Sequence, residues 1–180
     1  MTDITIIRIS ERGHRDLRVT THCCLVARAF GARRIILDET QDRKIQETVE
    51  KITREFGGTF TVEYSKNPSN EINQLKKEGY VVVHLTMYGE KPTQHLEKIR
   101  KSKKIAIVVG SSKVPGHVYQ ETDYNISITR QPHSEIAALG VYLHYVNKGN
   151  EEEFAFEGAQ RKVIPEKRGK RVERVNGLNG

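Results

Sequence analysis

Residues 80–85 have the sequence YVVVHL, a nearly continuous apolar run that leads into TMYG at residues 86–89. Strands that are covered on both faces have this composition, and they are typical of parallel sheets, which helices cover on both sides. A second run of this type, IAIVV at residues 105–109, ends at Gly110. The two runs predict the buried centre of a parallel sheet.

Strand and helix patterns alternate around this centre. Further strands are predicted, from their β-branched and aromatic residues, at residues 4–9, 34–37, 59–64 and 125–129. Helices are predicted, from apolar spacing and capping residues, at residues 21–30, 42–56, 69–77, 92–100, 114–121 and 134–147. This alternation predicts an α/β protein with a mostly parallel sheet and helices on both faces.

The pattern changes towards the C-terminus. Two short segments, residues 163–164 and 171–175, flank the basic sequence KRGK at residues 167–170. A glycine-containing turn between two such segments predicts a β-hairpin. We therefore expect an α/β domain over residues 1–150 and a basic C-terminal extension with a β-hairpin over residues 151–180.

Composition excludes several classes of protein. The 180 residues are 36% hydrophobic and 29% charged, which is typical of a globular protein. No run approaches the roughly 18 apolar residues of a transmembrane helix, and the first residues lack the pattern of a secretion signal. The only cysteines, Cys23 and Cys24, are adjacent, which is awkward for a disulfide. These features predict a cytoplasmic protein.

The net charge of +7 is unevenly distributed. Residues 8–34 contain seven arginines and two acids, and residues 161–174 contain seven lysines and arginines and two acids, so each segment carries +5. The rest of the chain is mildly acidic. Two basic segments suit an anionic partner such as a nucleic acid, although an ordinary solvated surface can have the same composition.

Three predicted strands end in loops of small, hydroxyl-bearing, glycine or proline residues, at residues 86–89, 110–116 and 130–135. Ligands of open α/β sheets bind beyond the carboxyl ends of the strands, so these loops could hold a nucleoside-like cofactor. Ordinary turns between strands and helices also need Gly, Pro and a Ser cap. The sequence contains neither G-x-G-x-x-G nor a P-loop motif, which disfavours dinucleotide and P-loop nucleotide binding.

Arg28 lies between small residues on a largely apolar predicted helix, so its charge should be partnered. Either its contacts tie the helix down, or its guanidinium is held at a reaction centre, where it binds a phosphate or stabilises an oxyanion. The cluster of His22, Cys23 and Cys24 lacks zinc-like spacing, and we predict no metal. His84, within an apolar run, is predicted to be a core histidine.

Four segments carry a family resemblance: RDLRVTTH at residues 15–22, ARAFGA at 27–32, HLTMYG at 84–89 and QPHSEIAAL at 131–139. They resemble motifs of the archaeal tRNA cytidine 2′-O-ribose methyltransferases of the SPOUT class. The resemblance implies methyl transfer from S-adenosylmethionine to the ribose 2′-hydroxyl of the T-loop cytidine at tRNA position 56. It also implies a C-terminal trefoil knot and a homodimer.

The resemblance assigns site residues as well. It implies that Arg28 is the catalytic arginine, and we expect it to bind the adjacent phosphate or the developing alkoxide rather than to accept a proton. It implies a cofactor site formed by Leu85, Gly110, Ser111, Ser112, Lys113, Val114, Ile128, Thr129, Arg130, Gln131, Pro132, His133, Ser134 and Glu135.

From their charge, we predict tRNA phosphate contacts by Arg12, Arg15, Arg18, Lys167, Arg168, Lys170 and Arg171. The alternative for the hairpin is a structural flap that packs on its own or a partner subunit. The alternative for the whole chain is an α/β protein that binds RNA without catalysis.

Overall fold

The computed structural model describes residues 2–10, 16–38, 41–110 and 113–175. Parallel strands form one six-stranded sheet in the order β3-β2-β1-β5-β4-β6. The strands are β1 (Asp3–Ile9), β2 (Arg34–Asp38), β3 (Thr61–Tyr64), β4 (Val81–Glu90), β5 (Lys104–Gly110) and β6 (Tyr124–Ile126). The predicted α/β class and parallel sheet are confirmed.

Helices cover both faces of the sheet, as predicted. They are α1 (Leu17–Ala29), α2 (Arg43–Phe56), α3 (Pro68–Lys77), α4 (Leu96–Ile99), α5 (Val118–Glu121) and α6 (Glu135–Asn147). Because successive side chains of a strand point to opposite faces, Ile6 and Ile7 of β1 belong to different cores. Ile6 shares a core with α1, α2, α4 and α6, and Ile7 shares a core with α3 and α5.

The start of α1 differs from the prediction. The sequence predicts that this helix begins at Thr21, but Asp16 caps it, and the Asp16 side chain accepts a hydrogen bond from the backbone N–H of Val19 at 3.0 Å. Thr21 lies inside the helix, where its hydroxyl donates to the carbonyl oxygen of Leu17 at 2.7 Å. The prediction was wrong because threonine can satisfy its hydroxyl within a helix as well as at its start.

The predicted bounds were also wrong on either side of β5. The helix expected over residues 92–100 is a 3₁₀ turn at Pro92–Gln94 followed by α4, and the helix expected over residues 114–121 is confined to α5. Strand β4 runs on to Glu90, where the backbone N–H of Ser127 donates to the Glu90 carbonyl at 2.8 Å. This extension depends on a contact between distant segments, which local pattern does not contain.

Gly89 makes this extension of β4 possible. A Cβ atom at Gly89 would lie 2.5 Å from the carbonyl carbon and oxygen of Asn125 in β6. Only glycine allows two backbones to approach so closely.

The C-terminal extension packs against the ends of α1 and α2. Phe154 lies over Gly31, and the backbone N–H of Gly58 donates to the carbonyl oxygen of Glu157 at 2.8 Å. Beyond these contacts, β7 (Arg161–Ile164) and β8 (Arg171–Arg174) form an antiparallel pair. The predicted hairpin is confirmed, with Gly169 at a φ of +107° in its turn.

The boundary at residue 150 and the trefoil knot stay predictions, because strand order and pairing test neither. Within the described ranges, no helix has both the length and the apolar character needed to cross a membrane.

Candidate functional site

A cleft of about 400 Å³ opens at the carboxyl edge of the sheet, beyond β4 and β5. The end of β4, the end of β5 and the start of α6 form its walls. The lining residues are Leu85, Thr86, Met87, Tyr88, Val109, Gly110, Pro132, His133, Glu135 and Ala138. The cleft lies where the three predicted ligand-binding loops come together.

Five residues of the predicted cofactor set line this cleft: Leu85, Gly110, Pro132, His133 and Glu135. Lining residues absent from that set are Thr86, Met87 and Tyr88, which follow the apolar run, and Val109 and Ala138. The composition of the segment at residues 86–89 was a usable signal for the first three. Val109 and Ala138 are apolar residues of a strand and a helix, and nothing in the sequence marks them.

The other predicted cofactor residues that the structure describes are not among the residues that line this cleft. Lys113 lines a second cavity, of about 600 Å³, beside Ser10 and Lys66. Ile128, Thr129 and Arg130 line a third cavity, beside Gly89. Their role in cofactor binding stays a prediction.

Three more members of that set have local contacts. Ser134 caps α6, where its hydroxyl accepts from the N–H of Ile136 at 3.2 Å, and Gln131 is exposed. Val114 packs so closely on Gly110 that a Cβ there would lie 2.2 Å from Val114 Cγ2. Ser111 and Ser112 lie outside the described residues.

A buried arginine lies beside the cleft, at the end of β1. Arg8 is 3% exposed, and its Nε and Nη2 donate to Oε1 of Glu135 at 3.1 and 2.8 Å. Its Nη1 donates to Ser10 Oγ at 2.9 Å and to Thr20 Oγ1 at 2.8 Å. One feature of the sequence points to a buried, partnered arginine here, because Arg8 lies inside the β-branched strand sequence ITIIRI. The charge of the chain identifies Arg8 only as one of the seven arginines of residues 8–34.

Cys23 lies next to this ion pair. Burial and the neighbouring Glu135 carboxylate raise the pKa of the Cys23 thiol to about 12, so it remains protonated near neutral pH. Within the described part of the chain, no three His, Cys, Asp or Glu side chains come together in a group that could hold a metal ion.

Arg28 lies in the last turn of α1 and is 6% exposed. Its Nη2 donates to the carbonyl oxygen of Gly57 at 2.5 Å, and its guanidinium lies 5.1 Å from the centroid of the Phe156 ring. Its Nε is buried without a hydrogen-bond partner among the described residues, and burial lowers the pKa of the guanidinium. These contacts favour the interpretation in which Arg28 ties the helix down.

The direction of α1 separates Arg28 from the cleft. The helix begins after the carboxyl end of β1 and ends before the amino end of β2, so it runs from one edge of the sheet to the other. Leu17 and Arg28 are therefore about 16 Å apart along the helix axis. Arg28 does not line the cleft of its own chain, and its catalytic role stays a prediction.

Those predicted RNA contacts that the structure describes lie at opposite edges of the sheet. Arg18 is exposed in the first turn of α1, at the same edge as the cleft. Lys167, Arg168 and Lys170 are exposed in the hairpin, which approaches Glu55 near the end of α2, at the other edge. Arg12 and Arg15 lie outside the described residues.

Arg171 differs from the other hairpin cations because it is paired. Its guanidinium contacts Glu166 at 3.7 Å and Glu173 at 2.5 Å. Two neighbouring carboxylates reduce the attraction of this arginine for an anionic partner.

Solved RNA-modifying enzymes share the fold. A TrmH/SpoU tRNA modifying enzyme from A. aeolicus has a TM-score of 0.62 at 15% identity, over 85% of this chain and 78% of that chain. The SpoU methyltransferase AviRb from Streptomyces viridochromogenes, solved in complex with the cofactor AdoMet, has a TM-score of 0.59 at 12% identity, over 82% and 57% of the two chains. The fold is therefore that of the SpoU methyltransferases.

Sequence comparison narrows this class to one family. The family model described as tRNA ribose 2′-O-methyltransferase, aTrm56, matches residues 56–173. A tRNA (cytidine(56)-2′-O)-methyltransferase from Methanobrevibacter smithii is 44% identical over 173 residues, which are 96% of this chain and 96% of that protein. The chain belongs to this family of tRNA ribose 2′-O-methyltransferases, and the resemblance seen in the four motifs is confirmed.

Proposed function

We propose that the protein transfers a methyl group from S-adenosylmethionine to the ribose 2′-hydroxyl of the T-loop cytidine at tRNA position 56. One observation carries the proposal: the 44% identity to the M. smithii enzyme of that name, over 96% of both chains. Since the substrate is tRNA, we place the reaction in the cytoplasm.

The cleft has the size and lining that the cofactor requires. Its volume of about 400 Å³ lies within the usual range for small-molecule sites, roughly 300–1,000 Å³. Leu85 and Val109 give it an apolar wall that suits the adenine ring, while Thr86, His133 and Glu135 supply polar groups. Val114 occupies the space that a side chain at residue 110 would need, so the end of β5 in the cleft wall requires glycine.

Methyl transfer requires the protein to align the reacting groups and to activate the ribose hydroxyl. Bound S-adenosylmethionine supplies a methyl group on a positively charged sulfur. A ribose hydroxyl is a poor nucleophile near neutral pH, so the protein must hold its oxygen in line with the methyl group and ease the loss of its proton. The polar groups of the cleft are available for orientation, and we retain the cofactor residues predicted from the sequence as the binding set.

We propose that the active form is a homodimer. Exposed apolar side chains on α1 and α6, Leu17, Val141 and Tyr145, support an interface on these helices. A catalytic role of Arg28 depends on this dimer, because Arg28 is remote from the cleft of its own chain. Light scattering of the purified protein tests the oligomeric state, and a monomer with full activity would contradict both points.

We further propose that Arg12, Arg15, Arg18 and the cations of the hairpin bind tRNA phosphates. Exposure supports this for Arg18, Lys167, Arg168 and Lys170. Their side chains can approach a phosphodiester without breaking an ion pair seen among the described residues.

The decisive experiment is methyl transfer from labelled S-adenosylmethionine to an unmodified tRNA transcript, with mass mapping of the product. We expect one methyl group, on the ribose of cytidine 56. A transcript already 2′-O-methylated at that nucleotide is the matched control and should accept none. Tight tRNA binding with neither cofactor binding nor methyl transfer would favour the alternative of a non-catalytic RNA-binding protein.

A further inference from the structure

Arg8 connects three parts of the chain that meet at the carboxyl edge of the sheet. It bonds Glu135, which begins α6 and lines the cleft, at 2.8 Å. It bonds Thr20, two residues after Arg18 in α1, at 2.8 Å and Ser10, which directly follows β1, at 2.9 Å. One guanidinium therefore contacts a wall of the cleft, the residue that follows β1 and the first turn of α1.

The ion pair between Arg8 and Glu135 is buried. The side chains of Arg8 and Glu135 are 4% and 10% exposed, so neither charge is well solvated. Both Nε and Nη2 of Arg8 donate to Oε1 of Glu135, while Oε2 is buried and has no hydrogen-bond partner among the described residues. A buried charge that loses its partner either becomes neutral or moves. The position of Glu135 thus depends on Arg8.

The planar guanidinium of Arg8 also constrains the relative orientation of the groups that it bonds. Its N–H groups form a rigid fork, so the bonds to Glu135, Thr20 and Ser10 can be made together only in one relative placement of the three segments. A lysine at the same position would keep the charge but not the fork.

We propose that Arg8 is a positioning residue for methyl transfer, which sets the wall of the cofactor cleft relative to the start of α1, where the predicted RNA contact Arg18 lies, through its ion pair with Glu135 and its hydrogen bonds to Thr20 and Ser10. This inference rests on the proposed function. Since transfer needs oxygen, methyl and sulfur in line, a small shift between the two sites lowers the rate even when both ligands are bound.

The test compares Arg8→Lys, Arg8→Gln and the double variant Arg8→Gln/Glu135→Gln with the wild type. Two quantities are measured: the Kd for S-adenosylhomocysteine by calorimetry, and the single-turnover rate of methyl transfer at saturating S-adenosylmethionine and tRNA. We expect Arg8→Lys to bind the cofactor product within a few-fold of wild type and to lose about 10- to 100-fold in rate. Arg8→Gln should weaken binding as well, because it leaves the Glu135 carboxylate buried without its cation.

The double variant separates charge from geometry. Removing both charges should recover binding of S-adenosylhomocysteine, since no buried charge is left unpaired, but the rate should stay low because the fork is missing. Arg34→Gln is the matched control. It removes another strand arginine that pairs with a glutamate, Glu63 at 3.2 Å, at the far edge of the sheet, and it should change neither quantity.

A folded Arg8→Lys protein with wild-type rate at saturation would overturn the inference, and so would equal effects of Arg8→Lys and Arg34→Gln. If Arg8→Gln fails to fold, Arg8→Lys and the double variant still decide the question. A wild-type protein that methylates none of the tRNA transcripts would instead defeat the proposed function, while the binding comparison would still report whether Arg8 positions Glu135.

Discussion

Arg8 and Arg28 are the buried arginines of the described chain, and they hold opposite ends of α1. Arg8 bonds Thr20 near the start of the helix, and Arg28 bonds the carbonyl oxygen of Gly57 from its last turn. Both guanidiniums are therefore committed to contacts within the chain. Arg8 lies beside the cleft, whereas Arg28 lies against the C-terminal extension.

Replacing Arg28 by alanine should cost stability. The variant lacks a charged hydrogen bond and the stacking on Phe156, together worth about 2–4 kcal/mol. Urea unfolding measures the difference. The catalytic prediction adds a separate expectation, a reduced single-turnover rate with cofactor and tRNA still bound; normal methyl transfer by folded Arg28→Ala would disprove it.

His84 should make the protein sensitive to acid. It is fully buried in β4, its Nδ1 lies 2.9 Å from Asn125 Oδ1, and burial lowers its pKa below the ordinary value of 6.5. The folded protein keeps His84 neutral, while the unfolded chain binds a proton below about pH 6.5. The contribution of His84 to the free energy of unfolding is therefore fully present above that pH. It is lost as the pH falls towards the pKa that His84 has in the folded protein.

The measurement is the free energy of unfolding at pH 7 and pH 5, for wild type and for His84→Gln. The variant lacks the titrating group, so it should lose less stability than the wild type over this interval, by up to about 1.4 kcal/mol per pH unit. Equal losses in the two proteins would assign the acid sensitivity to other groups.

At the scale of elements, the C-terminal extension packs against the end of α2. Gly57, directly after α2, has a φ of +82°, and a Cβ there would lie 2.5 Å from the carbonyl oxygen of Phe156. Gly79, after α3, has a similar φ of +86° but nothing within 4 Å. Both glycines have a positive φ, but Gly57 also has a ψ of −177°, a backbone conformation open essentially to glycine alone, and it meets the extension.

This pair gives a controlled prediction. Gly79→Ala should cost about 1–2 kcal/mol, the strain of a left-handed residue. Gly57→Ala should cost about 3 kcal/mol or more, because its φ of +82° and ψ of −177° are open essentially to glycine alone and the extension must also move away. Urea unfolding gives both values, and limited proteolysis should cut the hairpin of Gly57→Ala sooner. Equal costs would show that the extension yields freely at this contact.

The elements that were predicted well from sequence are determined by their own residues or by residues directly next to them. Strand β5 is a buried apolar run, and α6 begins directly after its Ser134 cap. The elements that sequence predicted poorly depend on distant partners. Strand β4 extends to Glu90 because it meets β6 there, and this contact also brings Thr86, Met87 and Tyr88 into the cleft wall. The position of the cleft and most of its lining were therefore predictable, but Val109 and Ala138 were not.

At the scale of the whole molecule, the exposed Arg18 and the exposed cations of the hairpin lie at different edges of the sheet. Neutralising Lys167, Arg168 and Lys170 by glutamine should weaken tRNA binding and flatten its salt dependence, by about 0.7–0.9 in log–log slope for each phosphate that the variant no longer neutralises. Arg171 is left in place because Glu166 and Glu173 already pair with it. The measurement is Kd over a salt series, with cofactor binding expected to stay constant.

The matched control removes the same charge elsewhere. Lys44, Lys51 and Lys77 are exposed on α2 and α3, and their replacement by glutamine should leave the slope close to that of the wild type. If the hairpin variant keeps the wild-type slope, the hairpin is a structural flap rather than a tRNA-binding element.

The hairpin and the cleft are separated by the length of α1, about 20 Å for its 13 residues. A single RNA can touch both only if it is at least that long and rigid enough to keep its course between them. The protein would then discriminate by the length of its substrate, because a short stem-loop would reach the cofactor cleft and leave the hairpin empty. Recognition of the correct nucleotide would depend on the dimensions of the folded RNA as well as on the base.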